Sequence, residues 1–166
     1  NSACVFTGKG LSFGGSLIRP EATGYGLVYF TEAMLKRHGL GFEGMRVAVS
    51  GSGNVAQYAI EKAMQFGARV VTASDSRGTV VDEAGFTAEK LARLCAIKAS
   101  RDGRLADYAA EFGLTWLEGK QPWNVPVDIA LPCATQNELD VDAARTLISN
   151  SVKAVSEGAN MPTTIE

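Results

Sequence analysis

The chain has 166 residues and a formal net charge of −2 at pH 7, from 16 basic and 18 acidic side chains. This length suffices for one domain with a full core, and the balanced charge gives no reason to expect a nucleic acid or an anionic membrane as partner. No apolar run approaches the about 18 residues of a membrane helix, and no signal peptide is recognisable. These properties predict a cytoplasmic protein.

The few cysteine and histidine residues do not form a metal-binding pattern. Cys4, Cys95 and Cys133 are widely spaced, and His38 is the single histidine. A structural zinc site needs about four closely spaced Cys or His ligands. We therefore predict no metal site and three reduced thiols.

Residues 1–19 are predicted to form a glycine-rich loop or hinge that leads into the first helix. Gly8-Lys9-Gly10 lacks the spacing of a Walker loop, and no G-x-S-x-G turn supplies a serine nucleophile. Pro20 suits the first turn of a helix that ends near Arg37, before Gly39. The predicted inward face of this helix comprises Ala22, Tyr25, Tyr29 and Ala33, with Val28 beside them.

The stretch from Met45 to Asp75 has the pattern of a dinucleotide-binding βαβ unit. An apolar strand is followed by the G-x-G-x-x-A turn Gly51-Ser52-Gly53-Asn54-Val55-Ala56. Gly51 permits the sharp turn, Gly53 lets a pyrophosphate approach the backbone, and the following helix directs free N–H groups at the phosphates. Asp75 ends the next strand, 22 residues after Gly53, near the spacing of about 20 expected for a ribose-binding acid.

Downstream, strands and helices continue to alternate. The predicted elements are an antiparallel excursion over 79–81 and 83–85, helices over 87–101, 104–112 and 140–149, an irregular segment over 116–126, and strands over 127–131 and 152–156. Thr87 is predicted to cap its helix, whose inward stripe of Leu91, Leu94 and Cys95 leads on to Lys98 and Arg101. Together these elements predict an α/β fold: a Rossmann-like, doubly wound, mostly parallel sheet with helices on both faces.

Ligands of such sheets bind beyond the carboxyl ends of the strands. Four loops qualify there: 51–54, 75–78, 133–137 and 158–160. Their small and amide side chains suit ribose hydroxyls and a carboxamide better than acid–base chemistry. Asp75 favours a free ribose hydroxyl and hence NAD, whereas Ser76, Arg77, Lys98 and Arg101 could bind a 2′-phosphate, and the residues alone leave both cofactors open.

Several motifs resemble the cofactor domain of glutamate dehydrogenase. They are Thr7-Gly8-Lys9-Gly10, Arg19-Pro20-Glu21-Ala22-Thr23-Gly24, the 51–56 turn, Cys133-Ala134-Thr135-Gln136-Asn137-Glu138 and Glu157-Gly158-Ala159-Asn160-Met161-Pro162. The resemblance covers essentially the whole chain and is strongest to the bacterial NADP-dependent enzymes. The run from Arg19 to Gly24 is its most specific part.

The resemblance implies a set of cofactor contacts. Thr23 and Asn54 would contact the cofactor near the nicotinamide and the pyrophosphate, and Ala134, Thr135 and Asn160 would line the pocket of the nicotinamide ribose. Ser76, Lys98 and Arg101 would hold a 2′-phosphate, and Asp75 occurs in this family even with NADP. The implied cofactor is therefore NADP(H), with NAD less favoured. The implied site comprises Thr23, Gly51, Ser52, Gly53, Asn54, Val55, Asp75, Ser76, Lys98, Arg101, Ala134, Thr135 and Asn160, and Arg77 has no assigned role.

The resemblance also implies an activity, the reversible conversion of L-glutamate to 2-oxoglutarate and ammonia by hydride transfer. The family's catalytic lysines and aspartate lie in an N-terminal substrate domain, and no segment here matches that domain or the C-terminal segment that returns to it. Residues 1–166 are thus expected to form a single cofactor domain without a catalytic residue, from a parent that is a homohexamer. Two alternatives stay open: the cofactor domain of an NAD-dependent leucine, phenylalanine or valine dehydrogenase, and a nucleotide-binding module without turnover.

Overall fold

The computed structural model describes residues 10–13, 15, 20–100 and 103–166. The helices of these ranges are α1 (Ala22–Lys36), α2 (Asn54–Gln65), α3 (Ala88–Ala99), α4 (Leu105–Glu111) and α5 (Val141–Ser149). The strands are β1 (Arg46–Val49), β2 (Arg69–Val70), β3 (Thr72–Asp75), β4 (Gly78–Val81), β5 (Thr115–Glu118), β6 (Ile129–Leu131) and β7 (Ala154–Val155). Short 3₁₀ helices lie at Leu11–Phe13 and Pro122–Asn124.

Four strands form a parallel sheet in the order β2-β1-β6-β7. Val47 of β1 pairs with Val70 of β2 on one side and with Ile129 of β6 on the other. The neighbouring β2 and β6 are separated in sequence from β1 by helices, as right-handed parallel crossovers require. The predicted α/β fold with a mostly parallel sheet is confirmed.

A second, antiparallel sheet has the order β3-β4-β5. It continues the first, because β2 and β3 are consecutive and interrupted only at Val71, whose N–H donates to the carbonyl of Val47 at 2.9 Å. Beyond that point the buried side chain of Thr72 takes over the bonding to β1. The carboxyl ends of β1 and β3 therefore lie side by side.

The sequence predicted an antiparallel pairing of residues 79–81 with residues 83–85, and this pairing was wrong. β4 pairs with β3 and β5, not with residues 83–85, and β5 lies in the segment that was predicted to be irregular. Residues 116–118 of that segment form the strand together with Thr115 just before it, and Pro122 and Pro126 lie outside the strand. This strand exists because β4 offers it a ladder of partners.

The core lies on both sides of the sheet, and alternate residues of β1 contribute to its two apolar clusters. Val47 and Val49 belong to the larger apolar cluster, with side chains from α1, α2, α3 and α4, whereas Ala48 faces a cluster that includes Trp123 and Leu147 of α5. Alternate residues of a strand point to opposite faces. Helices thus cover both faces, as predicted.

The predicted inward face of α1 was wrong. Its buried residues are Gly24, Leu27, Val28, Thr31 and Leu35. Tyr29 is exposed, and its ring makes edge-on contacts with the rings of Tyr25 and Phe66. A Cβ atom at Gly24 would lie 2.7 Å from the carbonyl oxygen of Val55. The two helices therefore meet through a glycine that a pattern of large apolar residues does not reveal.

Helix α3 agrees better with its prediction. Thr87 caps it by accepting a hydrogen bond from the N–H of Lys90 at 3.2 Å, and Leu91 and Leu94 are buried. Cys95 is only half-buried, and Ile97 completes the inward stripe. None of the helices in the described ranges is long and apolar enough to cross a membrane.

Candidate functional site

The turn after β1 is held in place by two neighbouring chain segments. Gly51 has a φ of +82°, which favours glycine, and a Cβ atom there would lie 3.1 Å from the carbonyl oxygen of Cys133 and 3.2 Å from Cα of Ala134. On the other side, the N–H of Gly51 donates to the hydroxyl of Ser74 at 2.8 Å, and the N–H of Ser74 donates back to Gly51 at 3.0 Å. Gly51 thus joins the end of β3 to the loop after β6.

The start of α2 has the properties of an anion site. Gly53 is its N-cap residue in an extended conformation and makes no side-chain cap, so within the described ranges the N–H groups of the first turn have no side-chain acceptor. A Cβ atom at Gly53 would meet nothing within 4 Å. Open space next to free N–H groups and a helix dipole suits a pyrophosphate, so the residues present fit such a group.

Two residues of the turn make hydrogen bonds that hold it in place, Ser52 through its backbone and Asn54 through its side chain. Ser52 is buried, and its carbonyl accepts a hydrogen bond from the side chain of Gln57 at 2.8 Å. The side-chain amide of Asn54 donates to the carbonyl of Pro20 at 2.6 Å. Asn54 therefore ties the start of α2 to the start of α1, which brings Thr23 to the same end of the sheet.

A pocket of about 450 Å³ opens beyond the carboxyl ends of the parallel strands. Its lining comprises Thr23, Val55, Cys133, Ala134, Thr135, Gln136, Gly158, Ala159 and Asn160. It therefore brings together four residues that the family resemblance placed near the nicotinamide: Thr23, Ala134, Thr135 and Asn160. Val55 of the predicted site also lines this pocket, whereas Asn54 does not. A Cβ atom at Gly158 would lie 2.9 Å from the sulfur of Cys133, so only a glycine lets these two loops close together.

The loops after β6 and β7 are tied to each other by backbone hydrogen bonds. The N–H groups of Gly158 and Ala159 both donate to the carbonyl of Pro132, at 2.8 and 3.0 Å, and the N–H of Asn137 donates to Met161 at 3.0 Å. The pocket wall is thus a single bonded unit, although both of its loops are irregular.

A buried carboxylate lies behind this wall, and sequence reasoning did not single it out. Glu138 is 8% exposed, and its Oε1 accepts hydrogen bonds from the N–H groups of Ala134 at 3.1 Å and Thr135 at 3.3 Å. Burial raises the pKa of Glu138 above its ordinary value, while the nearby Ser50 hydroxyl and these two N–H groups oppose the rise. The sequence contains one indication of this role, because Glu138 follows Thr135 at the spacing at which an acidic side chain can accept a hydrogen bond from a preceding backbone N–H.

The other proposed end of the site lies at the hairpin between β3 and β4. Asp75 pairs with Gly78 across the two-residue turn formed by Ser76 and Arg77, and Oδ1 of Asp75 accepts a hydrogen bond from the N–H of Arg77 at 2.8 Å. Ser76 and Arg77 are exposed. Since Ser74 also holds Gly51, this turn and the start of α2 belong to the same edge of the sheet.

Lys98 and Arg101 are the two cations predicted to bind the 2′-phosphate from the end of α3. Lys98 lies in the last turn of the helix and is half-buried, and in the described ranges its ammonium forms no hydrogen bond or ion pair. The helix ends at Ala99, and Arg101 lies outside the described residues, as do Lys9 and most of the predicted hinge. The grouping of Lys98 and Arg101 with Ser76 around a 2′-phosphate therefore stays a prediction.

A parallel sheet with a glycine turn, an uncapped helix start and a pocket at its carboxyl edge defines a Rossmann-like α/β domain. Comparison with known sequences places it more narrowly. The chain belongs to the glutamate/leucine/phenylalanine/valine dehydrogenase family, whose sequence profile matches residues 14–166.

Individual relatives agree with this assignment. The chain is 92% identical over all of its length to the NADP-specific glutamate dehydrogenase of Salmonella typhi, and 87% identical to that of Escherichia coli (strain K12). It spans 37% of the length of each of these relatives. Among solved structures, the glutamate dehydrogenase of Plasmodium falciparum superposes with a TM-score of 0.89 at 44% identity, over 96% of this chain and 34% of that one. The resemblance read from the sequence motifs is confirmed.

Proposed function

We propose that this chain is the NADP(H)-binding domain of a glutamate dehydrogenase. The observation that carries the proposal is the pocket of about 450 Å³ at the carboxyl edge of the sheet, directly beside the uncapped start of α2. The 92% identity to an NADP-specific enzyme supports the choice of cofactor.

The cofactor would lie along the carboxyl edge in three parts. Its pyrophosphate would bind at residues 51–54, and its nicotinamide and adjoining ribose would occupy the pocket between Thr23, Thr135 and Asn160. The adenosine ribose would meet Asp75, and Ser76, Lys98 and Arg101 would hold the 2′-phosphate. Bidentate or charged donors suit a phosphate well, and the exposed Arg77 is a further candidate.

The bound nicotinamide would supply the hydride acceptor and donor, and the residues of this chain would orient it. Among the described residues that line it, the pocket offers no side chain suited to proton transfer near neutral pH. Thr135 and Asn160 do not ionise there, and burial, with a contribution from Glu138, raises the pKa of the Cys133 thiol above its ordinary value. The groups that bind the amino acid and move its proton would therefore come from outside residues 1–166.

For the whole protein, we propose the reversible conversion of L-glutamate and NADP to 2-oxoglutarate, ammonia and NADPH. The chain spans 37% of the length of its relatives, and the remaining length would supply the substrate-binding groups. The assembly would be a homohexamer, as the family resemblance implies.

The second candidate, which the family match includes, is the NAD-dependent domain of a leucine, phenylalanine or valine dehydrogenase, which would not need Lys98 and Arg101 as phosphate ligands. Calorimetric titration with NADPH and NADH separates the two. One charge-assisted hydrogen bond to the phosphate would make NADPH bind at least about tenfold more tightly. Equal affinities, or tighter binding of NADH, would overturn the NADP assignment.

A further inference from the structure

Three successive backbone N–H groups at the end of β6 are all bound by side chains from behind the pocket wall. The N–H of Cys133 donates to the hydroxyl of the buried Ser50 at 2.8 Å, and the next two, of Ala134 and Thr135, donate to Oε1 of Glu138. The loop that lines the pocket is therefore anchored from inside the protein, on the side opposite to the proposed cofactor.

The carboxylate that does most of this anchoring is itself held firmly. The indole N–H of Trp123 donates to the backbone carbonyl of Glu138 at 3.0 Å, and Trp123 is almost fully buried. The next residue, Leu139, donates its N–H to the carbonyl of Pro162 at 2.9 Å. The peptide group that joins Glu138 to Leu139 is thus held at both its carbonyl and its N–H.

A buried carboxylate is an unusual choice for a purely structural anchor. One oxygen would suffice for the two N–H groups, yet Oε2 is buried with no hydrogen-bond partner in the described part of the chain. Burying an ionisable group without full pairing is unfavourable. Burial accordingly raises the pKa of Glu138 above its ordinary value. A charged acceptor forms stronger hydrogen bonds than a neutral one, so the gain must lie in how tightly the loop is held.

We propose that Glu138 is a positioning residue for the nicotinamide end of the cofactor. Its carboxylate fixes the backbone of Ala134 and Thr135, and these residues form the wall against which the nicotinamide and its ribose lie. Glu138 does not itself line the pocket, so it acts through the loop. This role rests on the proposed function.

The test separates the two ends of the cofactor. The affinities of the full-length protein for NADPH and for adenosine 2′,5′-bisphosphate, which has no nicotinamide, are measured by calorimetry for the native protein and for Glu138→Ala. Loss of a charged hydrogen-bond acceptor corresponds to about a tenfold or larger change. We expect Glu138→Ala to weaken NADPH binding by about that factor and to change binding of the bisphosphate less than about twofold.

Two further variants exclude a merely structural effect. Glu138→Gln keeps an oxygen acceptor for the two N–H groups but loses the charge, so its NADPH affinity should lie between those of the native protein and of Glu138→Ala. Leu35→Ala removes a buried side chain at the far end of α1, so it should lower the melting temperature and leave both affinities unchanged. Circular dichroism shows that each variant is folded at the temperature of the titration.

The outcomes distinguish the two claims. If the native protein binds neither ligand, the proposed function fails, and the positioning role fails with it. If the native protein binds both, an unchanged NADPH affinity in Glu138→Ala overturns only the positioning role. Equal weakening of both ligands, or a Glu138→Gln protein as weak as Glu138→Ala, also overturns it.

Discussion

The hydroxyl of Thr72 bonds both backbone groups of Val49: it accepts from the N–H at 2.9 Å and donates to the carbonyl at 3.0 Å. A single side chain thus replaces a segment of the backbone ladder where β2 gives way to β3. Both residues are fully buried, so water cannot take over these bonds. The parallel and antiparallel sheets are joined here.

The first prediction concerns this junction. Thr72→Val keeps the shape of the side chain and leaves two buried backbone groups unpaired, which destabilises a protein by about 1–3 kcal/mol for each group. We expect a loss on the order of 2–4 kcal/mol in urea unfolding. Thr72→Ser retains the hydroxyl and should lose only about 1 kcal/mol, from one methyl group. Equal losses in the two variants would contradict the role of the hydroxyl.

The second prediction concerns the proposed pyrophosphate site. Gly53 has negative φ, and a Cβ atom there meets nothing within 4 Å, so Gly53→Ala should change stability by less than about 1 kcal/mol. The added methyl group would project into the space proposed for the phosphates, and the affinity for NADPH should fall about tenfold or more. Calorimetry measures the affinity and thermal melting the stability.

Gly26 offers a matched control for that variant. A Cβ atom at Gly26 also meets nothing within 4 Å, but this residue is exposed within α1. Gly26→Ala should stabilise the helix by about 0.5–1 kcal/mol without altering cofactor affinity. If Gly53→Ala also leaves the affinity unchanged, the pyrophosphate does not bind at this turn.

The third prediction concerns Lys98. If its ammonium meets the 2′-phosphate, Lys98→Ala should weaken NADPH binding about tenfold or more and leave NADH binding nearly unchanged. Lys36→Ala is the control, because Lys36 likewise lies in the last turn of its helix, exposed and paired with Glu32. That control should cost a few tenths of a kcal/mol in stability. If Lys98→Ala discriminates between NADPH and NADH as the native protein does, Lys98 does not bind the 2′-phosphate and is only a favourable charge at the end of the helix.

The fourth prediction concerns the pH dependence of stability. Although partial burial raises it, hydrogen bonds from the Lys153 ammonium and the Arg46 N–H bring the pKa of Asp128 below its ordinary value. A lowered folded pKa contributes stability at pH values above the unfolded pKa of about 3.9, and this contribution disappears as pH falls through the folded pKa. Asp128→Asn should therefore be less stable than the native protein at pH 7.

Urea unfolding at a series of pH values checks this sign. The difference between the native protein and Asp128→Asn should shrink steadily once the pH falls below about 4. A difference that stays constant from pH 7 to pH 3 would show that the charge of Asp128 contributes no stability.

The fifth prediction is that residues 1–166 alone form no NADPH from L-glutamate. Holding the reacting atoms in line can contribute about 7–11 kcal/mol to a reaction, and the pocket lacks a group to bind the amino acid or accept its proton. Lys9, in the glycine-rich N-terminal stretch of the sequence, is the one candidate amine, and it would have no partner domain to exclude water around it. Turnover by the purified chain that disappears in Lys9→Ala would contradict this expectation.

Features set by local chemistry could be predicted from the sequence. The glycine turn at Gly51, the helix that follows it and the strand that ends at Asp75 all depend on neighbouring residues, and the structure places them as predicted. The gathering of Thr135 and Asn160 in one pocket was also predictable, because the carboxyl ends of parallel strands share an edge. Thr23 lies on α1, and only the family resemblance placed it there.

Features that depend on distant partners were missed. β5 forms a strand only because Val80 and Thr79 of β4 pair with it, and its own sequence carries no strong alternation. The inward face of α1 was misjudged because the close contact with α2 is made by Gly24. Glu138 was overlooked as a functional residue because its burial results from Trp123 and from the loop around it, and a lone acid in a motif indicates neither.

The turn that carries Asp75 also limits how cofactor preference can evolve. A Cβ atom at Gly78 would overlap the carbonyl oxygen of Leu117 and lie 2.9 Å from the ring of Trp116, and backbone of a paired strand cannot move aside. Gly78 is therefore closed to substitution, and Asp75 is committed to holding the turn. Substitution within this hairpin is therefore confined to Ser76 and Arg77, so any change of cofactor preference made in the hairpin itself would have to act through these two positions.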